Sequence, residues 1–264
     1  LAATRAAGKG RPTEQIVVGN PVRSSPTEHG EILFFSRALL PRNVGTGERS
    51  LYACSACHDD GHVDGRLHPA RQNRFLSMTK TCRAIGTTAP YLFLGEVADI
   101  DGFAANLLST HAQGAERGPG FDRYRTTLRL ARPTLRDAAP RTVRQTLSPA
   151  AIRDAMAAYL ARLPHEPSPF VPLGATDLTA DARRGLALFQ GACARCHALV
   201  RDSLHPDPIP AADLPAALLR GDVALTTAGL YDVGTPVLGQ GGNNPPSLRG
   251  VWDNAPYFSD GSAR

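Results

Sequence analysis

The 264-residue sequence predicts an all-α chain built as two tandem domains with long loops. Three observations predict it. Helix-start signals open apolar faces at helical spacing, the second half repeats features of the first, and no strand-rich pattern appears. The length allows two modest domains, each with its own core.

The first element begins at Ser25-Pro26-Thr27-Glu28. A capping Ser precedes Pro at the first helical position, and Glu follows three residues on, just before Ile32-Leu33-Phe34-Phe35. Ser148-Pro149 opens a second helix with Ile152, Met156, Tyr159, Leu160 and Leu163 on one face, expected to end at Pro164. Residues 164–174 are rich in proline and read as a stiff linker and domain boundary. Thr179-Ala180-Asp181 then opens a third helix through Leu186, Leu188 and Phe189 towards Cys193. The expected organisation is an N-terminal extension over 1–24, a first domain over 25–165 and a second over 166–264. The second is expected to be incomplete at its C-terminus, because Asp260-Gly261-Ser262-Ala263-Arg264 carries no helix-ending signal.

The repeat is explicit. Gly30-Glu31-Ile32-Leu33-Phe34 precedes Cys54-Ser55-Ala56-Cys57-His58, and Gly185-Leu186-Ala187-Leu188-Phe189 precedes Cys193-Ala194-Arg195-Cys196-His197. Ala89-Pro90-Tyr91 matches Ala255-Pro256-Tyr257 at an offset of 166 residues (255 minus 89). The same offset pairs Thr81 with Ser247, Arg83 with Arg249, and Gly95 with Gly261. Duplication of one ancestral domain explains this pattern, so both halves should share one kind of cofactor site.

C-x-x-C-H has a mechanical meaning. Two cysteines three apart on one helical turn lie on the same side and can each form a thioether to a haem vinyl group, and the next His then serves as the proximal iron ligand. A thiol redox pair does not require the His, and a zinc site would bring the two pairs closer together in one small module. The expected cofactors are therefore two covalently bound haem c groups, at Cys54/Cys57/His58 and Cys193/Cys196/His197. The fifth cysteine, Cys82, corresponds to Leu248 and reads as a small buried hydrophobe. A calcium ion is a further candidate cofactor that no residues place.

The formal charge of +5 does not point to nucleic acid. Two haems bring roughly four propionates, which takes the charge close to neutral, and the arginines are dispersed. No apolar run approaches the length of a membrane span. Residues 1–10 have no apolar core of a signal peptide. Because c-type haem attachment takes place outside the cytoplasm, export is expected on a signal outside this sequence, to a periplasmic or otherwise extracytoplasmic space.

Two C-x-x-C-H sites far apart resemble the arrangement of the bacterial di-haem cytochrome c peroxidases and the MauG-like enzymes. Also similar are Cys57-His58 followed by Val63-Asp64-Gly65, and Pro246-Ser247-Leu248-Arg249 followed by Ala255-Pro256-Tyr257-Phe258-Ser259-Asp260-Gly261. The resemblance covers most of residues 25–264. It implies two cytochrome c-like domains, with peroxide reacting at the first haem and electrons stored at the second. The sixth position of the first haem is then either open or capped by a displaceable His. His68 sits where that residue would be, with His62, Met78 and His111 as rivals and a solvated loop His as the bland alternative. The resemblance also places a distal acid/base near Gln113 or Glu116, where a solvated loop is at least as good a reading.

Two departures stand out. Phe93, in Leu92-Phe93-Leu94-Gly95, occupies the family's inter-haem tryptophan position, and the sole tryptophan, Trp252, reads as a relay or as haem packing. No Met follows Met156, so the second haem's sixth ligand is expected from Tyr257, Tyr231 or His205, or from beyond Arg264. The first reading is an oxidoreductase reducing hydrogen peroxide, fed by a small redox donor protein of cytochrome or cupredoxin type. The alternatives are a non-catalytic electron-transfer domain of a larger redox complex and a MauG-like modifier of a partner protein.

Overall fold

A computed structural model of the chain describes residues 24–39, 53–70, 75–111, 125–132, 141–165, 168–231, 242–258 and 260–263. Five α-helices lie among the described residues: α1 (Pro26–Phe35), α2 (Ile100–His111), α3 (Pro149–Leu160), α4 (Ala180–Ala192) and α5 (Leu214–Arg220). The three expected helix starts are present. Ser25 accepts from the Glu28 N–H, while the Glu28 carboxylate accepts from the Ser25 N–H at 2.6 Å. Ser148 caps α3 and Thr179 caps α4 through their hydroxyl oxygens. The second helix stops at Leu160, short of the expected Pro164.

The fold is not all-α. Two antiparallel hairpins accompany the helices: β1 (Leu67–Ala70) with β2 (Phe75–Met78), and β3 (Thr126–Arg132) with β4 (Arg141–Leu147). The physical reason is written in β3. Thr126, Leu128 and Leu130 are buried while Arg125, Thr127 and Arg129 are exposed, the period-two alternation of a half-buried strand. Thr127 faces Thr146 across the pair, with hydroxyls 3.0 Å apart.

One hydrophobic core joins Leu33 and Phe34 of α1, Ile152, Met156 and Leu160 of α3, and Leu128 and Leu147 of the second hairpin. At its centre α1 crosses α3 at Gly30, where an added Cβ would collide with the Ala155 carbonyl oxygen and stand 2.5 Å from Tyr159 Cβ. Only a residue without a side chain admits that approach. The second half has a much smaller core, of Ile209, Leu214, Ala217 and Val223.

The duplication is visible in the backbone. Short 3₁₀ turns at Ile85–Thr87 and Val251–Asp253 stand 166 residues apart (251 minus 85), as do the β-bridges Tyr91↔Val97 and Tyr257↔Ala263. Left-handed residues match in pairs: Ala84 with Gly250 (φ 55° and 65°), Leu92 with Phe258 (69° and 65°), and Gly95 with Gly261 (63° and 67°). Non-glycine residues rarely adopt this conformation, so its recurrence at a fixed offset is strong structural support for a repeat. Arg83 and Arg249 repeat a contact too, each Nε donating to a main-chain carbonyl, of Asp60 at 2.9 Å and of Val223 at 2.6 Å.

The halves touch through these repeated segments. Asn244 donates from Nδ2 to the Pro90 carbonyl (2.7 Å) and from its main-chain N–H to the Phe93 carbonyl (2.8 Å). Ser203 donates its N–H to the Thr87 carbonyl at 3.1 Å and its hydroxyl to the carbonyls of Thr87 and Ala89. Arg249 reaches Thr87 Oγ1 at 2.9 Å. No described helix is long and apolar enough to cross a membrane.

Candidate functional site

Each C-x-x-C-H motif folds as the same tight turn. The N–H groups of Cys57 and His58 both donate to the Cys54 carbonyl, at 3.1 and 2.9 Å. Those of Cys196 and His197 donate to the Cys193 carbonyl at 3.1 and 3.0 Å. In the first half the turn stands alone after Ala53, whereas in the second α4 runs directly into Cys193.

Main-chain groups face both histidine rings, and one of them matches across the repeat. His58 makes main-chain hydrogen bonds with Lys80 and His62, and His197 with Leu225 and Pro246. Lys80 and Pro246 are again 166 apart (246 minus 80). His197 Nδ1 lies 3.2 Å from the Leu225 carbonyl, which fixes the Nδ1–H tautomer and leaves Nε2 with its lone pair. Burial lowers both imidazole pKa values against these hydrogen bonds, favouring the neutral form that a metal ligand requires.

Phe34 and Cys82 back the half-buried His58. Phe34 lies against its ring at 6.4 Å between centroids, and Cys82 Sγ stands 3.4 Å from its Nδ1. Cys82 is buried as expected, with its thiol pushed up to about 12 by burial, and Cys54 is pushed up to about 11 by the same cause. The contact of Cys82 with the proximal His was not legible beforehand, since nothing in a C-R pair announces it. Lys80 presents Nζ 4.4 Å from the Phe93 ring centroid, and desolvation lowers its pKa to about 8.

His68 lies on β1 opposite Ser77. Its Nε2 is 2.6 Å from Asp64 Oδ2, and the other Asp64 oxygen accepts from Thr79 Oγ1 at 2.8 Å and from the Arg66 N–H at 3.0 Å. Burial raises the Asp64 pKa, but these hydrogen bonds outweigh it and hold the carboxyl below the usual carboxylate range. Ligand atoms of Cys57, Asp64 and His68 all lie within 4.8 Å of one another. The structure therefore brings His68 to the first C-x-x-C-H turn, with Asp64, a residue of the quoted V-D-G segment, as its anchor.

The other candidates are spread out. Gln113 and Glu116 lie outside the described residues, as does the His111 side chain. His62 bridges to the second half, with Nδ1 3.4 Å from Asn254 Oδ1 and Nε2 3.6 Å from Asp253. Met78 is buried, with Sδ 3.1 Å from where a Cβ on Gly261 would stand. Tyr257 donates its hydroxyl to the Val251 carbonyl at 2.7 Å, Tyr231 bridges to Asn243, and His205 is exposed.

The residues present fit a haem at each turn. Both sites offer paired thiols and a neutral imidazole held from behind. In the second half Trp252 Nε1 is a buried donor with no hydrogen-bond partner among the described residues, the kind of group that a haem carboxylate would satisfy.

No family model matches the chain, and no curated protein matches it. Among solved structures, a chain of Kuenenia stuttgartiensis hydrazine synthase, determined under 20 bar of xenon, is similar at 17% identity with a TM-score of 0.51. The match covers 93% of this chain and 77% of that one, and at such low identity the likeness is one of overall fold.

Proposed function

We propose that the chain is a di-haem c-type oxidoreductase of the peroxidase-like kind, exported from the cytoplasm and fed by a small redox protein. One observation carries the reading: two C-x-x-C-H turns with the same main-chain hydrogen bonds, each presenting a His whose burial favours the neutral form. Cys54 and Cys57 would hold the first haem with His58 behind it, and Cys193, Cys196 and His197 the second. When bound, the haems supply the two electrons that, with two protons, convert hydrogen peroxide into two water molecules. The chain's own contribution at the first site is closure and proton handling. Phe34 and Cys82 exclude water from the back of His58, and Asp64 holds His68 by Nε2, so that Nδ1 remains to take up or release a proton.

Non-catalytic electron transfer is favoured by one specific contact. Phe93 replaces the oxidisable tryptophan of the resembling family, and a cation over its ring makes removal of an electron harder still.

Mass spectrometry of the denatured chain tests the attachment, since thioethers survive unfolding. The expected result is the polypeptide plus two haems, and a bare polypeptide mass would overturn the proposal. Stopped-flow mixing of the half-reduced protein with hydrogen peroxide separates the two functions. A fast spectral change at the first haem supports the enzyme, whereas slow bleaching of two six-coordinate low-spin haems supports the carrier.

A further inference from the structure

His62 closely follows the first C-x-x-C-H turn, yet its ring faces the opposite half. Its main chain is hydrogen-bonded to the His58 ring, and its own side chain is only 16% exposed. Across the seam, Asn254 donates from Nδ2 to the Arg249 carbonyl at 3.5 Å. Its Oδ1 is therefore the end that faces His62, 3.4 Å from Nδ1, and the imidazole donates from that nitrogen. The main chain leads from Arg249 back to Leu248, whose N–H donates to the Leu225 carbonyl at 3.3 Å. That carbonyl is the partner of His197 Nδ1, at 3.2 Å. A bonded line thus runs from one motif histidine to the other through Leu225, Leu248, Arg249, Asn254 and His62. Thr88, which matches Asn254 at the repeat offset of 166 (254 minus 88), uses its hydroxyl on the Ile85 carbonyl within its own turn. The bridge is a feature of one half and not a product of the duplication.

We propose that His62 and Asn254 are positioning residues through which an electron passes between the two iron sites. The proposal rests on the reading of both turns as haem sites and goes beyond it by assigning the contact that connects them. Coupling between separated groups is carried by contiguous networks of hydrogen bonds and packed side chains, and this line ends on an imidazole at each side. The step is a single electron: the second iron goes from ferrous to ferric, the first from ferric to ferrous, and no proton leaves His62. Both the enzyme and the carrier need that exchange. Entry on the second side agrees with the exposures, since Cys193 is exposed and Cys54 is buried.

The test uses the full chain with both haems attached. A pulse of hydrated electrons reduces the exposed second site, and rapid-freeze EPR then follows each ferric signal as the electron moves to the first. His62→Leu, which fills similar space without a donor, should slow that passage by about tenfold. His62→Asn keeps an N–H where Nδ1 stands and should restore most of the rate. Asn254→Leu should act as His62→Leu does, whereas Phe93→Leu, where the seam is crossed elsewhere, should leave the rate unchanged. Equilibrium potentials and melting should match the parent in all four variants, so that a slower rate reports coupling and not driving force or a loosened fold. A rate indifferent to His62→Leu overturns the proposal and leaves the haem reading standing, since both haem masses remain on the chain. So does a parent in which no electron passes. A slower rate with a shifted potential at either iron makes His62 a support for its own site and overturns it too. A chain carrying no haem overturns both readings.

Discussion

Asp64 is the residue on which the first site's polar chemistry turns. Its carboxylate accepts from Thr79, from the Arg66 N–H and from His68. Removing the charge while keeping the shape, Asp64→Asn, should destabilise the chain by about 1–2 kcal/mol, measured by urea unfolding at neutral pH. The folded carboxyl titrates below its unfolded value, so its contribution is complete above the ordinary carboxylate range and is lost as pH falls through the folded pKa. The gap between parent and variant should therefore close as the pH drops below about 4. A gap that widened with acid would mean that Asp64 is not held as a carboxylate. If the C-x-x-C-H turns hold haems as proposed, Cys54→Ser with Cys57→Ser should leave a denatured chain carrying one haem mass rather than two, the survivor on a peptide containing Cys193 and Cys196.

At the scale of elements, the two glycines opposite each other in the repeat make a paired experiment. Gly30→Ala forces a methyl into the Ala155 carbonyl and should cost about 1–3 kcal/mol, because α1 and α3 must separate. Gly185→Ala meets nothing and should be neutral or stabilise by up to about 1 kcal/mol, the helix-propensity gain of alanine over glycine. Chemical denaturation of both variants checks the pair. Equal costs would mean that the exposure of α4 is not a real difference between the halves. The hairpins are the other lesson at this scale. β3 alternates buried and exposed residues from Thr126 to Leu130, a short alternation of Thr, Leu and Arg that one strand alone makes too weak to read. Helix caps, by contrast, bond side chain to backbone three residues away and announce themselves locally.

For the whole molecule, the contact between halves rests on a few buried polar groups rather than on a shared apolar core. Ser203 and Asn244 together donate to the carbonyls of Thr87, Ala89, Pro90 and Phe93. Replacing both side chains with alanine strands the Ala89 and Pro90 carbonyls, at about 1–3 kcal/mol each, while the main-chain donors to Thr87 and Phe93 remain. Differential scanning calorimetry should then resolve two unfolding steps where the parent has one, with the second half, whose core is smaller, melting first. A single unchanged transition would mean that the halves are coupled by something other than this seam.

The sequence by itself determined the helix starts, the repeated segments and both C-x-x-C-H motifs. Each of these is set by residues within a few positions of one another or by a spacing copied along the chain, and such information survives without a fold. The all-α expectation failed because a hairpin needs a partner strand, and pairing Thr126–Arg132 with Arg141–Leu147 is a contact that short-range signals do not specify. Only the tertiary structure could put Cys82 and Lys80 behind His58, across more than twenty residues of chain, or bind Asp64 to both His68 and Thr79. The same holds for the bare face of α4, since Gly30 and Gly185 are one letter in one motif and differ only in whether a helix is packed against them. Burial is a property of neighbours, and neighbours are fixed by the fold.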